Sequence, residues 1–293
     1  MPENFVYIDG KFYKKPFAKI SVFDHGLLYG DGVFETMISG SGVVFKLDAH
    51  IDRFFASARL INLNIPIRPE GMKKIIYRTL AKNKLLDAYI RLAVTRGSGE
   101  IGLSPSLCPE PTIFIIVNKL KNIPDSAYKK GVKIIISKTR KNIPEALNPQ
   151  IKSANFLNNI LAKIEADRDN AFEAIMLNSK GFITEGTVSN VFFVRKGVLK
   201  TPGLKSGILS GITRSAVLEL AAISGIETEQ GFYRPEDLYE AEEIFLTNTS
   251  AGVLPVSKIG KFPVSGGFRL TSLLRSLYLE HLNNSCRKKP HRS

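Results

Sequence analysis

From its start to about residue 118, the chain switches repeatedly between a two-residue and a helical apolar period, so neither an all-helical nor an all-strand architecture accommodates it. Residues 5–8, Asp9-Gly10 and residues 11–13 read as a hairpin closed by a two-residue turn. Residues 33–39 and 43–47 make a second hairpin across Gly40-Ser41-Gly42. A helix is expected from Asp48 as N-cap, with Ile51, Phe54, Phe55, Ala58 and Ile61 at helical spacing. Met72, Ile75, Ile76, Thr79 and Leu80 mark another helix, and strands follow at 89–96 and 112–118. This order implies an α+β domain.

Residues 119–130, basic and holding Pro124, read as an interdomain connection. A strand at 132–138 opens the second part, and a helix at about 153–167 carries Phe156, Leu157, Ile160, Leu161 and Ile164. Short strands are expected at 174–177, 182–184, 190–195 and 198–200. A helix at 212–224, a strand at 243–247 and a closing helix near 268–283 complete the chain. The expected organisation is a small domain over 1–118, a linker over 119–130 and a larger domain over 131–293. A length of 293 residues suffices for two separate cores.

Composition removes whole classes. Apolar residues at 44% and charged residues at 23% are ordinary for a globular chain, which excludes disorder and collagen-like repeats. Apolar runs such as 113–117 are far too short to cross a bilayer, and residues 1–20 carry no signal-peptide pattern, so a cytoplasmic location without membrane contact is expected. Cys108 and Cys286 stand far apart and read as two free thiols. His25, His50, His281 and His291 form no metal-binding pair, so no metal is expected. The net charge of +14 raises the question of nucleic acid. Residues 119–141, however, hold eight Lys/Arg against Asp125 alone, and the tail 287–292 adds four more cations. A solvated linker face and a frayed tail account for most of the charge, and no nucleic-acid-binding signature accompanies them.

Four short stretches carry chemistry. Lys152, in Asn148-Pro149-Gln150-Ile151-Lys152-Ser153, precedes an expected helix start, where the macrodipole disfavours a protonated amine and favours the neutral form that builds a Schiff base. Position alone favours a plain surface lysine. Glu185-Gly186-Thr187 sets a carboxylate before a glycine turn between apolar strands, and a buried carboxylate there requires a cation such as a protonated pyridine nitrogen. An exposed turn glutamate fits the pattern equally well. The loop Gly207–Gly211 opens a helix whose first amides, at Ile212 and Thr213, suit a phosphate. Thr247-Asn248-Thr249-Ser250-Ala251-Gly252 offers small residues to a ligand, and Arg53 is a further phosphate candidate or a solvated helix arginine. A lysine, a carboxylate and two phosphate-type loops together outline a pyridoxal phosphate site.

In order and spacing, YGDGVFET (29–36), HIDRFFASA (50–58), GLSP (102–105), KSANFLNNILAKIEA (152–166), EGTVSNVF (185–192) and GITR (211–214) resemble the class IV aminotransferases, the fold-type IV pyridoxal phosphate enzymes. That resemblance implies a small N-terminal α/β domain and a larger mixed domain with a β-barrel-like sheet. It implies a site built between the domains and completed by a neighbouring subunit, hence a homodimer or larger assembly. Lys152 resembles the lysine that binds pyridoxal 5'-phosphate and carries the proton. Glu185 resembles the partner of the pyridine nitrogen, and Arg53, Ile212 (backbone), Thr213 and Thr249 resemble the phosphate clamp. The amides of Ser250 and Ala251 resemble those that receive a substrate carboxylate.

Within the family, Tyr89-Ile90-Arg91-Leu92 resembles the branched-chain type, in which the arginine receives the side-chain carboxylate of glutamate; Tyr29 and Phe34 are candidate pocket walls. Phe156 stands where branched-chain enzymes usually have a tyrosine on the cofactor hydroxyl. Thr95-Arg96-Gly97 is not followed by the Arg-x-His pair of D-amino acid aminotransferases, whereas Phe34-Glu35-Thr36 also resembles aminodeoxychorismate lyases. The expectation is amino transfer between L-Leu, L-Ile or L-Val and 2-oxoglutarate. A lyase or D-amino acid aminotransferase is the alternative, and a basic nucleic-acid-binding protein a distant one.

Overall fold

The structure, a computed structural model, describes residues 4–287 and divides into two compact units. Of the described residues, the first holds 4–121, together with Ile151–Phe156 and 282–287. The second holds Asn122–Gln150 and Leu157–His281. The basic tail lies outside the described residues except for the backbone of Arg287.

The first unit is built on an antiparallel six-stranded sheet, β2-β1-β6-β5-β3-β4. Strands β1 (Phe5–Ile8) and β2 (Lys11–Lys14) form the expected hairpin, with Asp9 and Gly10 both at positive φ, the backbone of a twist-matching two-residue turn. Strand β3 (Gly32–Gly40) runs antiparallel to β5 (Ala88–Thr95), whose other side pairs antiparallel with β6 (Thr112–Lys119). Strand alternation sends Val33, Met37, Ile90, Leu92, Val94 and Ile115 to one face. There they pack with Ile51, Phe54, Met72, Ile76 and Leu80 from helices α2 (Leu47–Leu60) and α3 (Pro69–Asn83). A short helix, α1 (His25–Leu28), precedes β3. Helix α2 starts before the expected Asp48 cap because Lys46 already turns the chain in a left-handed conformation; Asp48 lies in the first turn and pairs with Lys73.

Strand β4 (Val43–Val44) is so short that it pairs only with Ser39 and Gly40, leaving the start of the β3 edge open. The segment around Ser153 fills it: Phe34 N donates to Lys152 O at 3.0 Å and Ala154 N to Gly32 O at 2.8 Å, an antiparallel bridge at Val33–Ser153. An open edge leaves backbone groups unpaired, and this arm satisfies them. Consequently the expected helix at 153–167 begins only at Leu157, as α5 (Leu157–Arg168), and residues 151–156 are withdrawn from the uninterrupted 131–293 segment.

The second unit has a mixed sheet, β11-β10-β9-β12-β13-β7-β8, with β14 (Phe262–Pro263) on β13. Its strands are β7 (Val132–Ile136), β8 (Glu173–Ile175), β9 (Asn190–Arg195), β10 (Val198–Pro202), β11 (Thr228–Gly231), β12 (Glu243–Asn248) and β13 (Gly252–Ile259). Strand β13 escaped the sequence reading because Pro255 interrupts it; the proline is tolerated since pairing to β7 starts only at Val256. Past β8 the chain folds back, Thr184 N donating to Met176 O, and Ile183 N then reaches Tyr233 O just beyond β11. The two ends of the sheet are thereby joined, in keeping with a barrel-like sheet. Residues 182–184 form only a bridge there. The stretch 119–130 is more ordered than a linker, since it contains helix α4 (Asp125–Lys130). Helices α6 (Ile212–Ile223), α7 (Pro235–Tyr239) and α8 (Arg269–Arg287) complete the chain.

Substituting Ala154→Pro removes the N–H bonded to Gly32 O, so thermal unfolding should show a loss of about 1–3 kcal/mol and the Phe34 amide should exchange its proton faster. Unchanged stability and exchange would show that the arm is not held this way.

Candidate active site

In the first unit, register decides which side chains meet. Residues paired across β3 and β5 share a face, so Phe34, Thr36, Tyr89, Arg91 and Ala93 lie on the face away from α2 and α3. Phe34 is the centre of this group. Arg91 stacks its guanidinium 3.9 Å from the ring centre, and Lys152 brings its ammonium to 4.6 Å. Phe156 meets the same ring edge to face at 5.3 Å. The expected lysine, aromatic wall, cation and substituted tyrosine position are thus brought together. Tyr29 is held by other contacts: its ring meets His25, and its hydroxyl accepts from Gly102 N. A cleft of about 290 Å3 on the same sheet face, lined by Val6, Ile8, Ile20, Phe114 and Ile116 among others, contains none of the expected site residues.

Lys152 is anchored through its backbone, its N–H donating to Ser57 Oγ at 3.1 Å and its carbonyl accepting from Phe34. The expected helix dipole does not act on this lysine, because α5 starts five residues later and the effect fades within one turn.

On the helix side of β3, Glu35 is fully buried and binds two partners that the sequence reading did not connect. His50 Nδ1 lies 2.8 Å from Glu35 Oε2, and Arg53 donates to both oxygens, at 2.6 and 2.9 Å. Burial alone would raise the Glu35 carboxyl, but Arg53 and His50 outweigh it and pull its pKa down to about 2. Burial pushes the His50 imidazolium down; Arg53 and Lys152 add to this, and Glu35 opposes it. Because the ionised Glu35 carboxylate can only accept, His50 donates to it from Nδ1. Arg53 is not a solvated helix arginine: Glu35 fixes its guanidinium in a two-point grip. The spacing of Glu35, His50 and Arg53 was the available signal, since one strand residue and one helix turn can face each other.

In the second unit, Glu185 is buried and gripped from several sides. Asn190 Nδ2 and Leu209 N both donate to its Oε2 at 3.0 Å, and Lys141 Nζ lies 2.8 Å from its Oε1. The alternative of an exposed turn glutamate is set aside by a side-chain exposure of 9%. Behind the turn, fully buried Glu173 accepts from Thr187 N, Thr187 Oγ1, Val188 N and Ser189 Oγ, which fixes the loop after Glu185. A Cβ on Gly186 would collide with Ser189 Oγ and Glu173, so only glycine fits.

The glycine loop joins Glu185 through Asn190, whose Nδ2 also donates to Leu209 O at 3.1 Å. Helix α6 then starts at Ile212 with Gly211 as N-cap and no side chain capping it. A Cβ at Gly211 would lie 2.0 Å from Asn190 Oδ1. Uncapped amides, the buried Thr213 and a side-chain-free approach form a donor set suited to phosphate oxygens, and the buried Glu185 carboxylate suits a protonated ring nitrogen. Each unit, taken by itself, therefore fits its share of the implied cofactor. The amides of Ser250 and Ala251, expected to receive a carboxylate, both donate to Asn248 Oδ1, at 3.0 and 2.7 Å, in a closed turn that includes Thr249. Cys108 and Cys286 are both free, and no helix among the described residues is long and apolar enough to cross a membrane.

The amino-transferase class IV family model matches residues 32–259. A proposed branched-chain-amino-acid aminotransferase of Methanocaldococcus jannaschii is 47% identical over 254 residues, 87% of each chain. The aminodeoxychorismate lyase of Bacillus subtilis is 33% identical over 287 residues, 97% of each chain. Among solved structures, the T.th. branched-chain amino acid aminotransferase with pyridoxamine 5'-phosphate superposes with a TM-score of 0.92 at 30% identity, covering 97% of this chain and 95% of its own.

The Glu35 cluster makes stability depend on pH. A carboxyl depressed from 4.5 to about 2 stabilises fully above its unfolded value and loses that contribution as pH falls toward 2. Acid titration should show a loss of roughly 3 kcal/mol across that window, and Glu35→Gln should lose a similar amount at neutral pH while flattening the acid limb. An acid limb identical in the variant would contradict the assignment.

Proposed function

The chain belongs to the class IV aminotransferases, and from that premise we propose that it transfers the amino group between L-leucine, L-isoleucine or L-valine and 2-oxoglutarate. It is a pyridoxal 5'-phosphate-dependent enzyme. The observation that carries the substrate class is the Phe34 ring with Arg91 stacked on it and the Lys152 ammonium beside it. An apolar ring next to the reactive amine suits a branched side chain. A strand-borne guanidinium at its margin suits the side-chain carboxylate of glutamate, the donor of the reverse half-reaction. Close resemblance to branched-chain enzymes, at 47% identity in one relative, supports the same reading.

When bound, the cofactor supplies an electron sink for the substrate α-carbon. Lys152 would provide the amine that holds the cofactor and, once released, the base that could take and return the α-proton. Glu185, held by Asn190 and Leu209, presents its carboxylate to the ring nitrogen. The amides of Ile212 and Thr213 and the hydroxyls of Thr213 and Thr249 would hold the phosphate; the family resemblance adds Arg53 to that clamp, and Glu35 restricts where the Arg53 guanidinium can turn. Phe156 has no hydroxyl to donate and serves only as apolar packing for Phe34. Tyr29 and Tyr89 border the substrate. For Ser250 or Ala251 to bind a carboxylate, the Asn248 side chain must share its amides or release them.

A second reading, aminodeoxychorismate lyase, is favoured by Thr36, which lies directly opposite Arg91 in register on the same face as Phe34. The similarity to the Bacillus subtilis lyase supports it too.

We further propose a cytoplasmic homodimer. Helix α5 exposes Leu157, Ile160, Leu161 and Ile164 at helical spacing, an apolar stripe that a second copy would cover. Light scattering should give twice the 32.4 kDa chain mass, and a Leu161→Glu chain should run lighter. A monomeric native protein would contradict this.

Single-turnover spectra with separate donors decide the substrate. With protein loaded with pyridoxal 5'-phosphate, L-leucine and L-glutamate should each bleach the visible cofactor band, and D-alanine should not. A band that persists with L-leucine but yields pyruvate from aminodeoxychorismate would replace this reading with the lyase.

A further inference from the structure

Lys141 belongs to the basic stretch 119–141 that the sequence presents as a solvated face, yet its side chain is only 11% exposed. Its backbone is fixed, Lys141 N donating to Leu177 O at 2.9 Å in continuation of the β7–β8 pairing. Leu177 bridges in turn to Ile183, and the chain from Ile183 leads directly to Glu185. Three neighbouring backbone segments thus bring the Lys141 ammonium to 2.8 Å from Glu185 Oε1. Just before it, Glu165 accepts from Lys138 N and Thr139 N, which fixes the turn that delivers Lys141.

The other groups around Glu185 make this contact distinctive. Asn190 and Leu209 N are neutral donors, and both act on Oε2. Arg214, on the first turn of α6, feels the Glu185 charge but hydrogen-bonds Pro202 O and Gln230 Oε1. Glu173 lies behind the turn and is taken up by Thr187 and Ser189. Lys141 therefore provides a cation in direct contact with this carboxylate.

We propose that Lys141 is a positioning residue for the cofactor ring: its buried ammonium supplies the counter-charge of Glu185 and orients the carboxylate that meets the ring nitrogen. The proposal rests on the cofactor role of Glu185 given above. A buried carboxylate deprived of its cation either reorients or draws another cation toward it, and both disturb a neighbouring ring contact.

Binding of two cofactor forms to the full chain separates this role from packing. Pyridoxal 5'-phosphate has the ring nitrogen, and its 1-deaza analogue has a C–H there. Lys141→Met, which keeps the length but not the charge, should weaken pyridoxal 5'-phosphate about tenfold. It should leave the analogue nearly unchanged, and Lys141→Arg should restore most of the affinity. Should the Met variant not fold, Lys141→Gln, which keeps a donor without charge, is read in the same way. Equal weakening of both compounds, or wild-type affinity for both, would overturn the proposal. If the unsubstituted chain binds the analogue but not pyridoxal 5'-phosphate, the ring-nitrogen role of Glu185 falls and the proposal with it. If it binds neither, the cofactor reading itself fails.

Discussion

The antiparallel bridge between Gly32–Phe34 and residues 152–154 is the contact on which the lysine's placement depends. It exists because β4 stops after two residues and leaves part of the outer side of β3, the next-to-last strand, unpaired. Sheet edges rarely stay bare, and here the chain returns from more than a hundred residues away to pair with this one. Two backbone hydrogen bonds and the Ser57 hydroxyl then fix Lys152 to a rigid sheet rather than to a loop. A reactive amine needs such support, since small displacements of a catalytic group are costly.

Each unit holds a buried carboxylate among its candidate residues, and each carboxylate carries its own cation. Glu35 is held by Arg53 and His50, and Glu185 by Lys141. The surroundings differ in a way that suits different tasks. Both oxygens of Glu35 are engaged by charged or ring donors within the core of the first unit, which makes it a structural counter-ion that restrains Arg53. Glu185 shares one oxygen between two neutral donors and gives the other to an ammonium. Buried ion pairs contribute little net stability, so their value lies in fixing orientation.

Much of this was legible in the sequence, for physical reasons. Asp9-Gly10 announced a hairpin because its turn needs positive φ at both residues, and the strand at 190–195 was bounded by turn residues on each side. The apolar period in α2 and α3 identified the helix faces that cover the sheet. Lys152, Glu185 and the Gly211–Thr213 helix start stood out only in combination and by family resemblance, since position alone favours a plain surface lysine at 152. Nonlocal pairing was not legible. The arm at 152–154 looked helical because nothing local records that its amides are committed to β3, and Pro255 concealed a strand whose neighbour starts one residue later. Lys141 looked like one more solvated cation, because its partner lies 44 residues on and meets it only through sheet pairing. The Ser250 and Ala251 amides looked available because the Asn248 side chain folds back on its own turn only in three dimensions.

Out of all the lysines in a strongly basic chain, Lys152 is the one we propose binds the cofactor. Borohydride reduction of the loaded protein, followed by peptide mass spectrometry, tests it most directly. A phosphopyridoxyl mass is expected on the peptide containing Lys152 and on no other at stoichiometric loading. A label on a different lysine, or none at all, would contradict it.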